Sequence, residues 1–255
     1  MTRIYLGRHV LGLAAILFGI VTLVWHDFNN WQQIQALGNV PHREILAYIA
    51  AAIELLGGLA IQWTRTARAG AVALGSIFFV FALLWVPHIV AEPRVYDRWG
   101  NLFEQFSQVA GALIVYATLG RSDSERAPRA ARIGYILFGI CVVSFTLEQL
   151  VYLSATADFV PKWTPPGQMF WAITTTVAFA LAAIALLSGR SALLASRLLT
   201  AMLIGFGLLV WLPAPFAEPQ KLINWAGNDE NLAINRSGVD CHRSSQPKCS
   251  TSMAT

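Results

Sequence analysis

Charge is what this chain has little of. Only 13% of its 255 residues are Asp, Glu, Lys or Arg, about half of the roughly 25% typical of a soluble globular domain. The surface that charge would normally solvate must therefore face something other than water, and a hydrophobic content of 56% makes lipid the fitting medium. The same numbers exclude a disordered chain, which combines low hydrophobicity with high net charge. Cysteine is scarce as well. Cys141 lies in an apolar stretch, Cys241 and Cys249 lie in a polar tail, and no Cys-x-x-Cys occurs, so neither a dithiol pair nor a zinc site of the usual spacing is present. There is no Gly-rich phosphate loop, no Ser-His-Asp pattern and no His-Glu-x-x-His. The excess of basic residues, 18 against 14 acidic, is dispersed through short breaks between apolar runs. That is the pattern of membrane loops and not the clustered basic face of a nucleic-acid binder.

What is there is a series of apolar runs. A membrane-spanning helix needs about 20 mostly apolar residues, and seven segments meet or approach this: 4–25, 44–63, 69–90, 102–119, 133–153, 169–187 and 192–212. Glu54 and Glu148 interrupt the second and fifth. Arg3 and Arg8 precede the first run as they would in a secretory signal, but Trp-His-Asp-Phe-Asn-Asn-Trp follows it, without a small-x-small cleavage site. An uncleaved first helix is expected. With seven helices, Arg and Lys fall ten against four on alternate sides of the short segments, which places the N-terminus in the cytoplasm of a cell with an inner membrane. Trp25, Trp63, Trp85, Trp163 and Trp211 fall at helix ends and are expected in the interfacial belts.

The chain also repeats itself. Ile16-Leu17-Phe18-Gly19-Ile20 recurs as Ile136-Leu137-Phe138-Gly139-Ile140, and Trp85-Val86-Pro87 with Ala91-Glu92-Pro93 recurs as Trp211-Leu212-Pro213 with Ala217-Glu218-Pro219. Trp99 is answered by Trp225 and Glu104 by Glu230. The fold expected is all-α, a polytopic transmembrane bundle of two tandem four-helix units. The first unit covers 1–122, an Arg- and Ser-rich linker 123–132, and the second unit 133–234 with three helices. A polar, disordered tail over 235–255 stands in place of the last helix, as a truncated or frame-shifted end would. Like-numbered helices enter from the same side, so the duplication is parallel and not the inverted repeat of many transporters.

These residues resemble the DoxX-like family of integral membrane proteins, whose members are four-helix units. The resemblance rests on Arg8 and Gly19, Glu54-Leu55-Leu56-Gly57-Gly58, the Arg65-x-x-Arg68 turn with Gly70, and Trp85-x-Pro87. The second copy shares only Gly139, Arg190 and Trp211-x-Pro213, and reads Phe179-Ala180-Leu181-Ala182 in place of the Glu-Leu-x-Gly element. The resemblance implies a cytoplasmic-membrane protein, some of whose relatives are subunits of thiosulfate-quinone or thiol-linked redox complexes.

Glu54 is the first residue expected to matter, because a carboxylate in mid-membrane is costly and by default marks a function. Helical spacing puts it on a stripe of small residues with Ala47, Ala51 and Gly58, so the competing reading is a glutamate that fixes helix contacts. Glu148 is the second intramembrane candidate. A weaker outer group comprises His26, Asp27, His88 and Glu92, where imidazole and carboxylate together can bind a metal or relay protons; solvated interfacial residues are the default there. Thr174, Thr175 and Thr176 with Gln168 read as structural. No catalytic residue, cofactor or metal is assigned. The expected partners are the bilayer and a membrane or redox protein, with no nucleic acid. The expected role is a non-catalytic component of a membrane redox or quinone-linked complex, the alternative being a small-molecule or proton-coupled transporter using Glu54.

Overall fold

The computed structural model describes residues 6–28, 38, 40–119, 126–222, 224, 225, 227, 228, 231, 232 and 234, and among these there is helix and no strand. The helices are α1 (Leu6–Trp25), α2 (Arg43–Ala60), α3 (Ala67–Ala91), α4 (Tyr96–Thr118), α5 (Arg126–Val151), α6 (Leu153–Asp158), α7 (Gln168–Ser188), α8 (Ala192–Phe206) with a π-helical turn at Gly207–Trp211, and α9 (Ala214–Ala217). The described residues within 222–234 are helical too. Each apolar run read from the sequence is thus a helix. The stretch read as a linker is helical from Arg126 onward, with Pro128 in the first turn, where its missing N–H costs nothing. The tail, with Cys241 and Cys249, lies outside the described residues.

Helices α1 to α4 form a closed group, since α1 packs on α2, α2 on α3, α3 on α4, and α4 returns to α1. The bundle then continues through α4 on α5, α5 on α7 and α7 on α8. The helical stretch within 222–234 comes back to the first group: Trp225 stacks 6.0 Å from Trp25, and Leu232 packs on the core of Leu11, Phe18, Leu74 and Phe78. A second core gathers Phe138, Val142, Phe179, Leu199 and Leu203. Large aliphatic side chains also cover the outside, with Leu56 67%, Val90 75% and Ile184 64% exposed. A water-soluble monomer rarely presents so continuous an apolar surface.

Five helical segments, Gly7–Trp25, Ala67–Ala91, Pro128–Val151, Gln168–Ser188 and Leu194–Ala217, are long and apolar enough to cross a membrane, as in an integral membrane protein. Helices α2 and α4 are not among them. α2 carries Arg43, Glu44 and Glu54 within 18 residues, and α4 carries Asp97, Arg98 and Glu104 with a run of amides. Tryptophan placement also differs from the sequence expectation at one position: Trp63 and Trp163 are exposed, whereas Trp85 is completely buried, with the Arg98 guanidinium 5.9 Å from its ring.

Two turns have the same construction 126 residues apart in the sequence. The N–H of Glu92 donates to His88 O at 2.9 Å and that of Glu218 to Ala214 O at 3.0 Å. Val95 N donates to Glu92 O at 3.1 Å and Lys221 N to Glu218 O at 3.2 Å. Trp99 Nε1 reaches Pro93 O, and Trp225 Nε1 reaches Pro219 O, each at 3.1 Å. The helices leading into these turns differ. α3 stays α-helical past Pro87 to Ala91, whereas α8 passes into the π turn, where Leu212 N donates to Gly207 O at 2.7 Å. The acceptor Trp211 O would need an N–H at position 215, which is proline, and the Asn228 amide supplies the donor instead at 2.6 Å.

Candidate functional site

Glu54 lies on the buried face of α2 with Ala47, Ala50, Ala51, Gly57 and Gly58, and is 3% exposed. The small residues around it let α1 and α2 touch backbone to backbone. A Cβ on Gly12 would stand 2.6 Å from Gly58 O, and one on Gly58 would stand 2.7 Å from Gly12 O. Gln62, at the end of the stripe, is tied to α1 through His9 Nδ1 at 2.6 Å. Close packing of this kind is how helices associate in lipid, where no hydrophobic force separates chain from solvent.

Glycine contacts set the depth of Glu54. Gly57 meets Leu74, Gly70 meets Ile61, and Gly75 meets Ala112, while Phe79 stacks on Phe106 at 6.0 Å. Between these pairs Glu54 falls level with Ile77 of α3 and Val109 of α4, at about 1.5 Å per residue. The turn of α4 at that depth is polar. Asn101, Gln105 and Gln108 repeat at the i, i+4, i+7 spacing of one helix face, each at most 1% exposed, with Ser107 equally buried. Neither end of the Gln108 amide has a hydrogen-bond partner among the described residues. Sequence reasoning passed over these amides because it searched for ionisable groups; their helical period inside an otherwise apolar segment was the signal available.

The outer candidates are separated by the fold. His26 ends α1 with φ of 57° and is hydrogen-bonded through Nδ1 to Tyr48 Oη at 2.6 Å. Asp27 accepts from Arg43 Nε at 2.8 Å and from the Phe28 N–H at 2.7 Å. His88 stacks 5.7 Å from Trp85, and Glu92 pairs with Arg98 Nη2 at 3.3 Å. Among the described residues no three of His, Cys, Asp and Glu gather closely enough to hold a metal ion.

Glu148 is placed elsewhere, at the junction of α4 and α5. Its carboxyl group lies against the Cα of Gly100, where a Cβ would stand 2.5 Å from it. Around it, Tyr96 Oη lies 3.1 Å from Ser144 Oγ, the Asp97 N–H donates to Tyr152 Oη at 3.3 Å, and Asn101 Nδ2 donates to Asp97 Oδ2 at 3.2 Å. The threonines of α7 behave as structural groups: Thr176 Oγ1 bonds back to Ala172 O at 2.7 Å and also donates to Gln149 Oε1 at 2.9 Å. Cys141 is a buried free thiol.

No family model matches the chain, and comparison with curated proteins and with solved structures finds no significant match.

Proposed function

We propose that this chain is a polytopic inner-membrane protein made of two tandem DoxX-like units, with α2 and α4 crossing the bilayer as well and the N-terminus in the cytoplasm. The tandem reading is supported by the two turns of like construction at Glu92-Pro93 and Glu218-Pro219. The proposed role is that of a non-catalytic component of a membrane redox or quinone-linked complex, with Glu54 as its internal polar group. Glu54 is the observation that carries this reading. It is a carboxylate inside the bundle, set at the depth of the α4 amides, and the second unit has no counterpart to it, reading Phe179-Ala180-Leu181-Ala182 where the first has Glu54-Leu55-Leu56-Gly57. A group that costs several kcal/mol to place in hydrocarbon and that one unit does without is retained for more than packing.

The test is purification from the native membrane in mild detergent, identification of bound proteins and an absorbance spectrum, for the wild type and for Glu54→Gln. The proposal expects a cofactor-bearing partner with the wild type, and its loss or inactivation with the variant at unchanged folding. Retention of a fully active complex by the variant would count against it. A second reading, a proton-coupled or small-molecule transporter, is favoured by the Gln108 amide, whose donor and acceptor are both free to meet a polar guest at the depth of Glu54. That reading expects transport by the purified chain alone in liposomes, abolished by Glu54→Gln.

A further inference from the structure

A groove of about 380 Å³ runs along the contact between α3 and α4, lined by Ala71, Gly75 and Phe79 of α3 and by Ala112 and Tyr116 of α4. It opens outward, since Val72, Ser76 and Phe79 along its α3 side are exposed. The helices meet closely here because the residues between them are small: a Cβ on Gly75 would stand 3.3 Å from that of Ala112. Backbones this near leave a trough over the small side chains. Its deep end is closed by Phe79, stacked on Phe106 at 6.0 Å. At the other end the Arg68 guanidinium lies 4.6 Å from the centre of the Tyr116 ring, one turn ahead of Ala71 and Val72 on the same face of α3. The 11 steps from Arg68 to Phe79, at about 1.5 Å each, span about 16 Å. That is close to half of the roughly 30 Å hydrocarbon core of a bilayer, so the groove has the length of one leaflet.

The charge at its mouth is uncompensated. Among the described residues neither Arg65 nor Arg68 has an ion pair, and in the sequence α3 has no Asp or Glu while α4 has none after Glu104. Trp63, exposed just ahead of α3, is the kind of residue that marks the headgroup level. We propose that the groove binds one anionic phospholipid, with an acyl chain in the trough and the phosphate on Arg68. A guanidinium presents a fork of donors that a phosphate accepts bidentately, and the Tyr116 ring holds that fork in place by a cation–π contact. A basic mouth between membrane helices at headgroup depth is the setting in which anionic lipids are recognised. A choline lipid has the same phosphate but brings a quaternary ammonium, which Arg65 and Arg68 repel. The inference needs α3 in the bilayer and does not depend on the redox or transport reading, nor on which way the chain is inserted.

The test is native mass spectrometry of the delipidated full-length protein in mild detergent, titrated with phosphatidylglycerol or with phosphatidylcholine of the same chain length. Thermal unfolding in nanodiscs of either lipid, followed by tryptophan fluorescence, accompanies it. The expected result is a first phosphatidylglycerol bound about fivefold or more tighter than the first phosphatidylcholine, and a higher melting temperature in phosphatidylglycerol. Arg68→Gln should remove the preference. Ser76→Phe fills the groove from an exposed position and leaves Arg68 in place; it should weaken the first phosphatidylglycerol at an unchanged melting temperature in phosphatidylcholine. Val72→Trp, on the same wall, gives the same reading should Ser76→Phe disturb folding. Arg190→Gln, exposed in the α7–α8 turn, should bind as the wild type does. Equal affinity for the two lipids, or a preference that survives Arg68→Gln, would overturn the proposal. Binding that survives both groove-filling variants would mean attraction of the headgroup to the surface alone, with no chain seated between α3 and α4, and would overturn it as well.

Discussion

A carboxylate at the centre of a membrane helix costs about 3 kcal/mol on membrane-insertion scales, and Glu54 sits where small residues already bring α1 and α2 into backbone contact. Packing and polarity can therefore be separated by substitution. Glu54→Gln, which keeps the size and shape of the side chain, should leave the melting temperature of the purified protein close to that of the wild type while abolishing the partner association or transport proposed for Glu54. A drop of several degrees would instead assign it to helix packing. Gly58→Leu should do the opposite, since its Cβ would press on the Gly12 carbonyl; a loss of about 1–3 kcal/mol is expected from reversible unfolding in mild detergent. Glu54 was legible in the sequence because a lone carboxylate stands out in an apolar run. Gln108 and Asn101 were not, because neutral amides in an amphipathic helix look like a solvated face until burial is known. Trp85 misled for a related reason: a tryptophan at a helix end is usually interfacial, and only the packing of Ile89 and Leu102 shows that this one is core.

At the scale of elements, the two Trp-x-Pro helices show how one residue redirects a backbone. Position 89 in α3 is Ile, whose N–H continues the helix. The corresponding position after the π turn is Pro215, which has no N–H to offer Trp211 O, and the Asn228 amide takes over. Asn228→Ala should leave that carbonyl without a donor, at a cost of about 1–3 kcal/mol. Adding Pro215→Ala should restore part of the loss, because residue 215 regains an N–H; equal melting temperatures for the single and double variants would refute the explanation. The repeat of motifs was readable in the sequence, as was the helical nature of each segment. The π turn was not, because it depends on Pro215 meeting a donor from a residue 17 positions beyond Trp211. Helical structure within 222–234 was also hidden, since Gly227 and a run of Asn residues weaken its intrinsic propensity, and packing of Leu232 and Trp225 supplies what propensity does not.

At the scale of the whole molecule, the shortage of charge corresponds to an apolar exterior and a partly polar interior. Five helices satisfy length and hydropathy for crossing a membrane, while α2 and α4 are not among them, with Arg43, Glu44 and Glu54 in one and Asp97, Arg98, Glu104 and a run of amides in the other. Glu54 and the amides Asn101, Gln105 and Gln108 are buried by their neighbours, whereas Glu44 is exposed and Arg43, Asp97 and Arg98 are half-buried near the first turns of their helices. The proposed topology therefore turns on these two helices, and cysteine labelling from outside the cell decides it directly. In a chain whose own cysteines are replaced, Thr66→Cys in the α2–α3 turn and Arg94→Cys in the α3–α4 turn are exposed to a membrane-impermeant maleimide. Labelling at 94, with protection at 66 until the membrane is permeabilised, is the predicted result. Labelling at 66 with protection at 94 would mean that α2 does not cross or that the chain is inserted the other way round, and either would contradict the proposed topology.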